Sequence, residues 1–242
     1  MNLLLLHPQD HIADDRWRIS GRRAEHVRHV LGLTPGATLK AGVLNGALGE
    51  ATISEDQGDT WELRFQEQQP PPPPLPLTLI IALPRPKMLK RLLIDATSLG
   101  IKRIVLLNSW KVEKSYWKTP ELHADLLREK MLLGLEQAGD TQLPELLLRP
   151  RFKPFIEDEL PALAASSRAL LAHPATTDMA PTSMPMDLTE PVTLAVGPEG
   201  GWTDYEVSML EARGFERHSL GQRILRVETA LPTLVGRIMR LL

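Results

Sequence analysis

The chain has 242 residues, a formal net charge of −2 and no cysteine. This length buries a core without covalent staples. The absent thiols exclude disulfides, thiolate zinc sites and cysteine nucleophiles, and the small net charge leaves any nucleic-acid affinity to local basic patches. The N-terminal "MNLLLLHPQD" is too short an apolar run for a secretory signal or a membrane span, and no other stretch reaches about 18 uninterrupted apolar residues, so a cytoplasmic protein is expected.

In chain order, residues 1–69 read as a small, mostly β module. Its strand-like runs "TLKAGVLNG" and "TWELRFQE" are broken by Gly and Asn, and its one helical stretch is "SGRRAEHVRHVLGL", with Ser20 as cap and Ala24, Val27 and Leu31 at helical spacing. Residues 70–76 hold the run Pro70 to Pro74, which favours polyproline II; a stiff interdomain spacer is expected, with a ligand for a proline-reading domain as the alternative. From residue 77 to 242 strands alternate with helices: "LTLIIAL", the helix "PKMLKRLLIDATSLG" with Leu89, Leu92, Leu93, Ala96 and Leu99 on one face, then "RIVLLN". A β-α-β unit of this kind implies a parallel sheet. A second helix is expected from Thr119 and Pro120 to about Ala138, then strands "ALLAH", "VTLAV" and "RHSL", and a last helix from about Val227 with Pro232 near its beginning. The fold class is α/β.

Two turns stand out. In "TLAVGPEGGWTDYEV" a strand ends at Val196, and Gly197, Pro198, Glu199, Gly200 and Gly201 lead to Thr203, an N-cap whose capping-box partner is Glu206. A backbone-rich loop at the carboxyl end of a strand is a favoured ligand position in α/β sheets. The loop lacks the Lys of a P-loop and the GxGxxG of a dinucleotide site. Taken alone, such a turn needs glycine only for a positive φ. Further on, "HSLGQRILRVETALP" repeats the design with a strand ending at Leu220, a turn at Gly221, and then Arg223, Ile224, Leu225, Arg226 and Glu228 before a helix. Together the two turns describe a pocket with apolar walls and a few directed polar groups. Arg226 and Glu228 also suit a surface pair at a helix start.

The segments "VGPEGGWTDYE" and "LGQRILRVETA" resemble the C-terminal motifs of the ribosomal small-subunit methyltransferase E family within the SPOUT class, and weaker likeness runs through "LGIKRIVLLNS", "GLEQAGDTQLPEL" and "HVRHVLGLTPG". The resemblance implies a PUA-like RNA-binding domain over residues 1–69 and a SPOUT methyltransferase domain over 77–242 with a parallel sheet and a deep trefoil knot. It also implies a homodimer, S-adenosylmethionine as methyl donor, and N3 of a uridine in 16S ribosomal RNA of the small subunit as acceptor. Carried over by motif, the cofactor-binding residues are Ala172, His173, Val196, Gly197, Gly200, Gly201, Leu220, Gly221, Ile224 and Leu225, and the substrate side holds Arg226, Glu228 and Glu199. The sequence departs from the family pattern at Gly32 and Asp140, where basic residues are usual, at Ser98 in place of an acid, and at Val227 in place of threonine.

Methylation at C5 of a pyrimidine commonly needs a thiolate, so nitrogen or oxygen is the expected acceptor in a chain without cysteine. For N3 of uridine the ring proton must leave while charge builds on the base. Arg226 is the candidate to offset that charge, and Glu228 or Glu199 either takes the proton or holds Arg226. RNA contacts are expected from Arg16, Arg18, Arg22, Arg23 and Arg28 and from "KVEKSYWK", where Lys111, Lys114 and Lys118 surround Tyr116 and Trp117. His26 and His29 lack a third ligand, so no metal site is expected. The alternatives are a ribose 2'-O-methyltransferase of the same class and a non-catalytic RNA-binding module.

Overall fold

The structure is a computed structural model that describes residues 2–174, 185–186 and 189–239. It divides into two compact units, one made of the chain up to Pro73 with Met131–Leu143, the other of Pro74–Lys130 with the chain from Pro144 onward.

The first unit is a six-stranded sheet in the order β1-β4-β5-β6-β3-β2. Its strands are β1 (Leu4–Leu6), β2 (His11–Ala13), β3 (Arg16–Ser20), β4 (Thr38–Val43), β5 (Leu48–Asp56) and β6 (Thr60–Gln69). Only β1 and β4 run parallel. The leucine run at the N-terminus serves two cores by strand alternation. Leu4 and Leu6 join Trp17, Ile19, Trp61 and Leu63, while Leu3 and Leu5 meet Leu44, Leu48, Leu132 and Leu135.

The helix expected from Ser20 is shorter and less regular than its apolar spacing suggests. Ser20 ends β3 and makes no side-chain cap; α1 (Gly21–Glu25) passes into a π-helical turn, His26–Val30. Gly32 then takes a left-handed φ of +62°, a conformation that a basic side chain adopts only with strain. Asp140, the other position where a basic residue is usual, is buried and its carboxylate accepts from the Gln142 N–H at 2.9 Å.

The second unit is a parallel six-stranded sheet in the order β12-β10-β11-β7-β8-β9. Its strands are β7 (Leu75–Ala82), β8 (Ile101–Leu107), β9 (Glu145–Arg149), β10 (Arg168–Ala172), β11 (Val192–Val196) and β12 (Glu216–His218). All five residues of β11 are buried, as a strand covered on both faces requires. Its helices are α2 (Pro86–Ser98), the first half of α3 (Ala124–Ala138), whose residues from Met131 onward belong to the first unit, and α4 (Phe152–Pro154), α5 (Leu160–Ala164), α6 (Asp204–Glu211) and α7 (Val227–Ile238). Helix α2 buries Leu89, Leu92, Leu93 and Ala96 as its period predicts.

Three details differ from the sequence expectation. Thr119 caps a short 3-10 turn, Pro120–Leu122, and α3 begins only at Ala124. The stretch α4, a π turn (Phe155–Glu159) and α5 was not anticipated, because Pro154 and Pro161 interrupt its apolar period. The connector is shorter than 70–76, since β7 already starts at Leu75, and Pro76 falls where the β7–β8 register shifts. Among the described residues no helix is long and apolar enough to cross a membrane.

Candidate active site

The chain leaves β7 to build β8 and β9 on one side, then returns to build β10 and β12 on the other, with β11 inserted beside β7. The strand order therefore reverses between β7 and β11, and the crevice at their carboxyl ends is the physically favoured ligand position. Register aligns the strand ends there: Ala172 pairs with both Val196 and His218, and Val196 pairs with Ile81.

A cleft of about 710 Å³, counting its open mouth, occupies this edge, a size suited to a nucleoside-like ligand. It gathers Ala172, His173, Val196, Gly197, Gly201, Leu220, Gly221, Ile224 and Leu225 in one lining. Gly200, expected with them, lies elsewhere. Its carbonyl accepts from Lys111 Nζ at 2.7 Å, and a methyl group added to it would come 3.0 Å from Lys111 Cδ, so it faces that lysine.

Each wall has a local cause. Thr203 caps α6, and the buried Glu206 completes the capping box with Oε2 accepting from Thr203 N at 2.8 Å. This fixes where the glycine turn ends. Ser219 Oγ donates to the Gly221 carbonyl at 3.0 Å and accepts from the Gly221 N–H at 3.1 Å, which folds the second turn. His173 N–H donates to His218 O at 2.9 Å, tying the ends of β10 and β12.

The lining fits the adenosine part of a nucleoside cofactor. Gly201 and Gly221 have φ of +70° and +129°, and a Cβ at either would meet nothing within 4 Å, so the space over both turns is open. Leu220, Ile224, Leu225, Val227 and Leu234 supply apolar flanks. Trp202, missed in the sequence, also lines the cleft, and its buried Nε1 has no hydrogen-bond partner among the described residues. A tryptophan just past two glycines was the available signal.

Next to the cleft is a polar pocket lined by Arg85, Met88, Glu199, Ile224, Leu225, Arg226 and Glu228. The three residues expected on the substrate side thus share one surface. Glu199, Ile224 and Leu225 belong to both cavities. Arg226 is the N-cap residue of α7, 86% exposed, with Nη1 3.9 Å from Glu228 Oε1. Arg85, not anticipated, places its Nε 3.1 Å from Glu199 Oε1. This hydrogen bond, more than any other influence, holds the Arg85 guanidinium charged beyond its ordinary range.

The candidate RNA contacts separate by environment. Arg23 is no free phosphate ligand: it grips Asp10 through both Nη groups and also donates to Leu5 O at 2.8 Å, with the two side chains only 11% and 7% exposed. Arg18 pairs with Glu62 and Arg22 with Glu136, each at 2.6 Å. Arg28 pairs with Asp56 at 2.6 Å and lies 5.0 Å from the Trp61 ring centre. Arg16, Lys114 and Lys118 are exposed and make no ion pair among the described residues. Trp117 is half-buried and donates to Asn108 Oδ1 at 2.8 Å, so it is a packing residue and not an open stacking ring. An open ring is found at Trp110, 85% exposed just past β8.

A protein-family model described as RNA methyltransferase domain matches residues 71–239. The chain is 34% identical over 209 residues to ribosomal RNA small subunit methyltransferase E of Treponema pallidum, covering 85% of this chain and 77% of that protein. It is 24% identical over 220 residues to ribosomal RNA small subunit methyltransferase E 1 of Borreliella burgdorferi, covering 88% and 87%. The fold is similar to a crystal structure of a ribosomal RNA small subunit methyltransferase E from Neisseria gonorrhoeae bound to S-adenosyl methionine, with a TM-score of 0.73, 21% identity, and coverage of 98% of this chain and 96% of that one. The chain belongs to the ribosomal RNA small subunit methyltransferase E family of RNA methyltransferases.

Proposed function

We propose that this chain methylates N3 of a uridine in 16S ribosomal RNA of the small subunit, with S-adenosylmethionine as donor. In this reading the second unit is a SPOUT-type domain with a deep trefoil knot, the first is a PUA-like RNA platform, and the working form is a cytoplasmic homodimer. Family membership supports the reaction class. The observation that carries the reading is the junction of two cavities, one apolar and glycine-walled, one polar and charged, sharing Glu199, Ile224 and Leu225.

Bound S-adenosylmethionine supplies an electrophilic methyl group on a sulfonium. Ala172, Val196, Gly201, Leu220, Gly221 and Leu225 would hold its adenosine part, with backbone groups reading the adenine edge and aliphatic side chains covering its faces. On the polar side, the chain's own residues prepare the acceptor. Glu199 or Glu228 takes the N3 proton, and Arg226 offsets the charge that develops on a ring carbonyl. Ile224 and Leu225, at the boundary, give the junction an apolar edge. Arg16, Lys114 and Lys118 meet phosphate, and Trp110 offers a face on which an unpaired base stacks.

Mass spectrometry of 16S RNA from cells with and without the protein is the test. A 3-methyluridine present only with the protein is expected. A ribose-methylated nucleotide, which resists alkaline cleavage, points instead to the 2'-oxygen, and unchanged RNA points to a non-catalytic binding module.

A further inference from the structure

The acceptor base must be told from cytosine, and the polar pocket holds a set of groups suited to that task. The imide edge of uracil presents a carbonyl, an N3–H and a second carbonyl, which is acceptor, donor, acceptor. The edge of cytosine replaces the central donor by an acceptor and one carbonyl by an amino donor. The pocket offers two guanidinium donors, Arg85 and Arg226, and a carboxylate acceptor, Glu199.

Arg85 is held for this role by its sequence. It stands between Pro84 and Pro86, past the end of the central strand β7 and at the N-cap of α2, and a residue before proline is driven to extended backbone. Its φ of −58° and ψ of 149° agree. Glu199 comes from the turn after the neighbouring strand β11, so the pair spans the point where the strand order reverses. The guanidinium makes one hydrogen bond among the described residues, Nε to Glu199 Oε1 at 3.1 Å. Its two Nη groups keep their donors, and a second lone-pair-bearing oxygen remains on Glu199.

We propose that the Arg85–Glu199 pair is the base-reading element of this enzyme, selecting uracil by matching donor and acceptor to its imide edge, with Arg226 completing the match. The inference rests on the uridine reading above. Glu199 accepts N3–H, and as the N–H bond breaks the proton passes to its carboxylate while the electron pair stays on the ring, spread over N3 and the two carbonyl oxygens. Arg85 and Arg226 face those oxygens. In cytosine the unprotonated N3 would meet the carboxylate, acceptor against acceptor, and an amino group would meet a guanidinium. Arg85 also fixes the direction of Glu199 through Nε, so it is a positioning residue as well as a reader.

The test is binding of short single-stranded ribo-oligonucleotides carrying one uridine or one cytidine among adenosines, followed by fluorescence anisotropy at fixed salt with saturating S-adenosylhomocysteine. The wild-type protein is expected to prefer uridine by about tenfold, the scale of one matched base-edge contact. Arg85→Ala is expected to lose that preference while its S-adenosylhomocysteine affinity stays within about threefold, since Arg85 lies outside the cofactor cleft. Arg85→Lys is expected to recover little, because one ammonium cannot hold Glu199 and the base as a planar fork does. A wild-type preference that survives intact in Arg85→Ala overturns the assignment and leaves the uridine reaction standing. A wild-type protein with no preference overturns the assignment and the uridine reading together.

Discussion

The backbone N–H of Trp110, just past β8, donates to Oε1 of Glu206 in the first turn of α6 at 2.8 Å. The same buried carboxylate accepts from the Thr203 N–H and hydroxyl through Oε2, at 2.8 and 2.9 Å. One side chain thus ties the end of β8 to the turn that walls the candidate cofactor cleft. Every group facing the carboxylate is a donor, so Glu206→Gln must turn an amide NH₂ toward a donor. A loss of about 1–3 kcal/mol is expected from leaving a buried group unpaired, together with weaker S-adenosylmethionine binding. Urea unfolding and calorimetry measure the two effects. Wild-type values in both would show that Glu206 does not organise the turn.

Gly197 and Gly201 should fail differently when substituted. A methyl group at Gly197 would approach the Trp202 indole at 3.1 to 3.3 Å, and that ring is buried. Gly197→Ala is expected to cost about 1–2 kcal/mol through overpacking, with a changed near-ultraviolet signal from the indole. Gly201 has open space but a φ of +70°, so Gly201→Val keeps the core packed, costs about 1–2 kcal/mol in backbone strain, and fills the cleft with a branched side chain. Its cofactor binding is expected to vanish while the fold remains. Undiminished affinity in Gly201→Val would take this loop out of the site.

The glycine turns were legible because their signals are local. The short run VTLAV, the glycine turn and a Thr203–Glu206 box define β11, the loop and α6 from sequence alone. The direction each glycine faces is not local: Gly200 has the same sequence setting as Gly201, yet its carbonyl accepts from Lys111. Arg85 carries no periodicity, and only the strand order β11-β7 brings it to Glu199. Helix α3 shows the same limit. It was expected as one continuous helix, yet Leu127 joins the second unit's core while Leu132 and Leu135 pack with Leu3 and Leu5. Residues of one helix can belong to two cores, and the sequence does not record the division.

The arginines of the first unit should sort by partner. Arg23 and Asp10 form a nearly buried, two-bond pair, so Arg23→Ala leaves an uncompensated carboxylate and is expected to destabilise the unit by about 3 kcal/mol or more. Arg16 is exposed and lacks an ion pair among the described residues. Arg16→Ala is expected to leave stability unchanged, weaken RNA binding, and lower the slope of log affinity against log salt by about 1. Thermal unfolding with salt-dependent filter binding separates the two. An unchanged salt slope would remove Arg16 from the phosphate contacts.

His26 should make the first unit acid-sensitive. It sits in the π turn after α1, half-buried, with Nε2 fully covered and without a hydrogen-bond partner among the described residues. Burial, then nearby positive charge including Arg22, holds its pKa below the ordinary 6.5, against a smaller opposing influence from Glu136. The folded state therefore favours the neutral imidazole. As pH falls below 6.5 the unfolded chain takes up a proton that the folded one resists, so stability drops. The loss stops growing once the pH passes below the depressed folded value, where both states are protonated. His26→Gln cannot titrate and is expected to flatten this part of the profile while carboxylate titration at lower pH persists. Urea midpoints at neutral and mildly acidic pH, with hydrogen exchange over β3 and the π turn to locate the change, measure it. If the Gln variant loses stability between those conditions as steeply as the wild type, another group is responsible, and the covered Nε2 is a packing feature with no role in the acid response.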